Sequence, residues 1–79
     1  MTDPMTALDT AWHAIEDAEK KAASIVEAAR LEFGREIRRQ RANGLKQAEI
    51  ARHYGVERET IRRYQEAADI ADGLKQPKA

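Results

Sequence analysis

At 79 residues the chain has room for one small domain whose core is barely self-sufficient, and the absence of cysteine removes both a disulfide framework and thiolate metal sites as staples. Hydrophobic residues make up 42%, much of it alanine, aromatics only 5% and charged residues 35%, the profile of an exposed helical protein with a thin core. No apolar run reaches the roughly 18 residues of a membrane span, and Met1-Thr2-Asp3-Pro4 does not resemble the start of a signal peptide, so a cytoplasmic protein without membrane contact is expected.

A net charge of zero argues against a nucleic-acid partner only if the charge is evenly spread, and it is not. Residues 1–33 hold three basic side chains (Lys20, Lys21, Arg30) against seven acidic ones, whereas residues 34–66 hold nine basic against five acidic. An acidic half is joined to a basic half.

In chain order, Asp3-Pro4 predicts a helix start, with the Asp3 carboxylate accepting free amide hydrogens and proline harmless at the first helical position. From Met5, the residues Leu8, Trp12, Ile15, Glu19, Ala22, Val26, Ala29 and Phe33 follow at alternating steps of three and four, one stripe of a helix broken only by Glu19. Such a stripe is either a coiled-coil seam or the face by which a long helix packs on its own domain, and Ala22 and Ala29 permit close approach. As a seam, Leu8, Trp12, Ile15, Ala22, Val26, Ala29 and Phe33 join two copies of the chain; the same stripe also suits a different protein partner.

Gly34, where acidic changes to basic, is a candidate bend and the boundary between an oligomerisation helix (1–33) and a second unit (34–72). Helix is expected to resume through Arg41 and to stop at Asn43-Gly44. A second helix over Lys46–His53 presents Ile50 and Ala51 inward, and Tyr54-Gly55-Val56 forms a tight turn. A third, over 57–71, begins near Glu57 or Arg58, turns Ile61, Tyr64 and Ala68 inward, and frays at Asp72-Gly73. Residues 73–79 are expected as a disordered tail. The fold class is therefore all-α: a long N-terminal helix followed by a three-helix unit.

Two short helices joined by a tight turn need apolar inner faces and a small residue where their backbones approach. The run from Gly44-Leu45 through Gln47-Ala48-Glu49-Ile50-Ala51-Arg52 to Gly55-Val56 and Thr60-Ile61-Arg62-Arg63 provides both, with Ala51 at the crossing and Ile50, Tyr54, Val56, Ile61 and Tyr64 at inward positions. It resembles the helix-turn-helix signature of bacterial and phage DNA-binding proteins, particularly small transcriptional regulators and the DNA-binding domains of recombinases. The resemblance spans Gly44 to Glu66, under a third of the chain.

That resemblance implies a third helix lying in the major groove of double-stranded DNA, with Arg58, Glu59, Arg62 and Arg63 at base edges. Arginine matches the two acceptors of guanine, and Glu59 can accept from a cytosine amino group. Lys46, Gln47 and Thr60, with Arg35, Arg38, Arg39 and Arg41 of the preceding helix, are placed for phosphates. The chain departs from the pattern at Glu57, where Ser or Thr usually caps the third helix, and at Lys46, which replaces a polar cap on the second.

An alternative use of the third-helix charges is internal, since Glu59–Arg63 and Arg62–Glu66 have the spacing of surface ion pairs. No nucleophile stands in a motif with a base and no glycine loop cradles phosphate, so no enzyme activity, catalytic residue or cofactor is expected. His13 and His53 stand apart from other ligand-type side chains, and no metal is expected. The resulting expectation is a sequence-specific regulator of transcription, homodimeric through its first helix, whose acidic half stays clear of the DNA. A protein-interaction adaptor, or a plasmid or phage protein that handles DNA in segregation or packaging, would use the same helices.

Overall fold

A computed structural model describes residues 4–77. It is all-helical, with α1 over Pro4–Ala42, α2 over Gln47–Tyr54 and α3 over Arg58–Ala71. Pro4 opens α1, while the proposed Asp3 cap lies outside the described residues. No helix among the described residues is long and apolar enough to cross a membrane.

The helix ends are set by backbone chemistry. At the end of α1, Gly44 adopts φ 102°, and the amides of Gly44 and Leu45 donate to the carbonyls of Arg41 and Gln40 at 3.0 Å each. At the end of α2, Gly55 at φ 67° lets its own amide and that of Val56 reach back to Arg52 and Ala51 in the same way. Both are left-handed caps that satisfy carbonyls the helix leaves open, a conformation costly for any residue with a Cβ. After α3 the chain reverses once more, with Leu74 N–H donating to Asp69 at 2.8 Å, and Lys75 reaches Glu66 at 3.2 Å. The segment expected as a disordered tail from residue 73 is thus folded back at least as far as Lys75.

The N-terminal ends are less well held. Neither Lys46 before α2 nor Glu57 before α3 makes a side-chain cap hydrogen bond, as their departure from the usual Ser or Thr implies.

Gly34 does not interrupt the helix. The α-helical hydrogen bonding of α1 runs straight through it, and the residue is buried against α3. A Cβ there would collide with the Tyr64 carbonyl oxygen and lie 2.7 Å from the Ala68 methyl. The glycine is the place where two helix backbones touch, so the bend expected at this point is replaced by a crossing. A core of Ile37, Ile50, Ala51 and Ile61 closes around it, with Phe33 and Tyr64 packed against its side. Ile61 is 1% exposed and Ala68 is fully buried, whereas Tyr54 and Val56, expected inward, remain largely in solvent. The second helix is only eight residues long and packs mainly on α3, leaving its C-terminal tyrosine beyond the core.

The remainder of α1 stands away from this core. Every residue from Pro4 to Arg30 is exposed. The molecule measures 66 × 29 × 21 Å, and its radius of gyration is 19.3 Å where a compact chain of this length has about 12 Å. A small three-helix head therefore carries a helical arm about 40 Å long.

Candidate nucleic-acid interface

The sequence-derived set of candidate residues divides into three groups in the folded chain. The first is spent on holding the head together. Arg35 grips the Asp72 carboxylate through Nε and Nη2, at 2.8 to 3.1 Å, and Arg38 donates to both Asp69 and Asp72 at 2.7 and 2.6 Å. Hydrogen bonds from Arg35 and Arg38 hold the Asp72 carboxyl down to about 2, and the same bonds raise both guanidinium pKa values. Planar guanidinium forks suit carboxylates as well as phosphates, and here the carboxylates of the α3 terminus occupy them. Arg39 pairs with Glu36 on its own helix. Arg35, Arg38 and Arg39 thus have intrachain partners in the places where phosphate was expected.

The second group lies on the outward face of α3. Arg62 bonds Glu59 at 2.6 and 2.8 Å and also pairs with Glu66, while Arg63 approaches Glu59 at 3.4 Å. Arg62 holds the Glu59 carboxyl down to about 2, and Lys75 together with Arg62 lowers that of Glu66. The two internal pairs foreseen from spacing are both present. Arg63 stays extended, with its side chain 75% exposed, and Thr60 is exposed beside it.

The third group converges without carboxylates. Arg41 at the end of α1, Lys46 and Gln47 at the start of α2, and Arg58 at the start of α3 line one shallow polar depression together with Gly44 and Ala48. Gln65 ties two of these residues to α3: its Oε1 accepts from Arg41 Nη1 at 2.8 Å and from Gln47 Nε2 at 3.0 Å, linking all three helices. Among the described residues, Arg58 and Lys46 have no ion pair or side-chain hydrogen bond. Amides in the first turn of a helix have no intrahelical partner, and with no side-chain cap on Lys46 those at the start of α2 remain open to an acceptor. Three cations beside an uncapped helix start form an anion-binding environment.

Sequence reasoning missed Gln65, Asp69 and Asp72. They fall at steps of four and three on one face of α3, which in sequence looks like any polar helix surface, and their roles arise only because α1 lies across them. The seam candidates Leu8, Trp12, Ile15, Ala22, Val26 and Ala29 are all exposed on the arm. Phe33 is the exception. It is half-buried, with its ring set edge-on to Tyr64 at 5.1 Å and to Tyr54 at 5.7 Å, and so it belongs to the head. His13 faces Glu16 at 3.5 Å and His53 meets Tyr54 edge-on; among the described residues no group of three or more ligand-type side chains is placed for a metal.

Comparison with known proteins gives no match to a family model, to a curated protein or to a solved structure, so a functional reading rests on these residues alone.

Proposed function

We propose that the chain is a helix-turn-helix protein that binds double-stranded DNA as a homodimer, with α2 and α3 as the motif, α3 as the groove-entering helix and α1 as the joining element. The observation that carries this reading is the convergence of Arg41, Lys46, Gln47 and Arg58 on one depression at the starts of α2 and α3. A phosphate seated there meets guanidinium, ammonium and open helix amides at once, which fixes α3 in register over the adjacent bases. Lys46 and the missing cap then have a reason, since a side chain folded over the helix start would block the anion. Arg58 is the cation free to reach base edges, while Arg62 and Arg63 must first exchange their contact with Glu59 for a base. Regulation of transcription is the role such binding serves in the proteins that this motif resembles.

The test is duplex binding by fluorescence anisotropy across a salt series. Log affinity is expected to fall linearly with log salt, and Lys46→Ala or Arg41→Ala to weaken all duplexes alike and reduce the slope by about one each. Arg58→Ala in a selection from random duplexes should relax one position at a cost of about 1–3 kcal/mol. Binding that ignores salt would refute the reading.

A second reading, as a protein-interaction adaptor, is favoured by one observation. The outward face of α3 is nearly self-neutralised, because Glu59 and Glu66 both engage Arg62.

A further inference from the structure

The arm and the head carry complementary features that one chain cannot bring together. Beside the core a groove of about 410 Å³ opens between α1 and α2, lined by Phe33, Glu36 and Ile37 of α1, Leu45 of the connection and Glu49, Ile50 and Tyr54 of α2, and its surface is mainly apolar. Phe33, which ends the apolar stripe of the arm, is also a wall of this groove, so stripe and groove form one continuous surface. At the other end of the stripe Leu8 and Trp12 project into solvent, each 62% exposed. Along a straight helix Trp12 and the Phe33 of its own chain are about 30 Å apart, so Trp12 cannot fill its own groove.

We propose that the occupant of the groove is the arm of a second copy of this chain, packed antiparallel, with Trp12 and Leu8 of each copy docked in the groove of the other. This rests on the dimeric form of the reading above, and it adds the direction, register and docking site. Charge selects the direction. Between Pro4 and Glu19 the arm carries Asp9, Glu16, Asp17 and Glu19 with no lysine or arginine, whereas residues 20–33 carry Lys20, Lys21 and Arg30 against Glu27 and Glu32. Parallel arms would stack four carboxylates on four, whereas antiparallel arms set that acidic end beside a segment of net charge +1, with Glu16 next to Arg30, and oppose the helix dipoles. Shape selects the same direction, because parallel pairing makes two concave grooves face each other, while antiparallel pairing offers each groove a row of large apolar side chains. Ala22, near the midpoint of the stretch from Trp12 to Phe33, allows close contact there.

The register follows from seating Trp12 opposite the partner's Phe33, which sets Leu8 opposite Ile37. Gly34, where α3 crosses α1, then lies 23 positions along the rod from its counterpart, about 35 Å at 1.5 Å per residue. That is the separation of successive major-groove faces on one side of B-DNA, about 34–36 Å, although DNA played no part in choosing the register.

The chain contains no cysteine and one tryptophan, which makes the test direct. In Leu8→Cys/Glu36→Cys the two thiols of one chain lie about 42 Å apart on a straight helix, so any bridge between them joins two chains. Mild oxidation is expected to give a reducible covalent dimer from the double variant and none from Leu8→Cys alone. Wild-type Trp12 emission should move to the blue as concentration rises through dimer formation, and Trp12→Ala should weaken self-association about 30-fold by sedimentation while circular dichroism keeps the helical signal. A bridge formed by Leu8→Cys alone would establish parallel pairing and overturn the proposal. A wild-type chain that stays monomeric at millimolar concentration with unshifted emission would overturn it too and leave the stripe to another protein. None of these readouts contains DNA, so an antiparallel dimer that ignores duplexes would sink the DNA reading and leave the docking intact.

Discussion

Ile25 and Ile37 lie on one helix, twelve residues apart, and meet opposite fates: Ile25 is 70% exposed and Ile37 is 2% exposed. The arm and the head have comparable supplies of apolar side chains, and both follow helical spacing. The difference lies in what faces them. Beyond Phe33 the chain returns twice, α3 packing along α1 and α2 mainly on α3; among the described residues nothing covers the stretch from Pro4 to Arg30. Apolar periodicity therefore records a demand for burial, and connectivity decides whether the same molecule meets it.

The sharpest way to break this contrast is to truncate one isoleucine in each region. Ile61→Ala is expected to destabilise the head by about 3 kcal/mol in a denaturant titration, a large share of what so small a core supplies. Ile25→Ala, measured on dilute monomer, should change stability by less than about 0.5 kcal/mol. Equal losses would mean that the arm is held as firmly as the head.

Gly34→Ala is the next largest perturbation. Alanine would normally gain about 1 kcal/mol within a helix, but the added methyl meets the Tyr64 carbonyl and the Ala68 methyl, so a net loss of about 2 kcal/mol is expected by thermal melting. A gain in melting temperature would show that the backbones do not touch, and would restore Gly34 as a joint between two units.

A smaller effect distinguishes how the two regions respond to acid. The folded Asp72 carboxyl is held at about 2 by Arg35 and Arg38, below its unfolded value near 3.9, so its contribution is complete above about pH 4 and is lost as pH falls towards 2. Glu59, held at about 2 by Arg62, adds a loss of the same sign. Head unfolding should therefore become easier between about pH 4 and pH 2, and Asp72→Asn should lower stability at neutral pH while flattening that acid limb. An unchanged acid limb in Asp72→Asn would place the stabilising charge elsewhere.

Most of the secondary structure was legible from local chemistry. Asn43-Gly44, Gly55 and Asp72-Gly73 mark three helix ends because only glycine reaches the left-handed cap cheaply, and the structure ends its helices there. Ile50, Ala51, Ile61 and Ala68 were legible as inner residues because spacing places them on one face each. The candidate interface was less legible. Arg35 and Arg38 look like phosphate contacts in a basic run, yet both belong to Asp69 and Asp72, more than thirty positions away. Conversely, Arg41, Lys46 and Arg58 share a depression because three helix ends meet there, which no spacing along one helix reveals.

By itself the sequence determined the all-helical class, the helix stops and the segregation of acidic from basic charge, since each depends on neighbours within about four residues. The tertiary structure alone decided that Gly34 is a crossing, that Phe33 belongs to the head, which arginines remain free, and that the arm is uncovered. Those are facts about residues brought together from distant parts of the chain, where the identity of the facing surface, and not the local pattern, sets the energy.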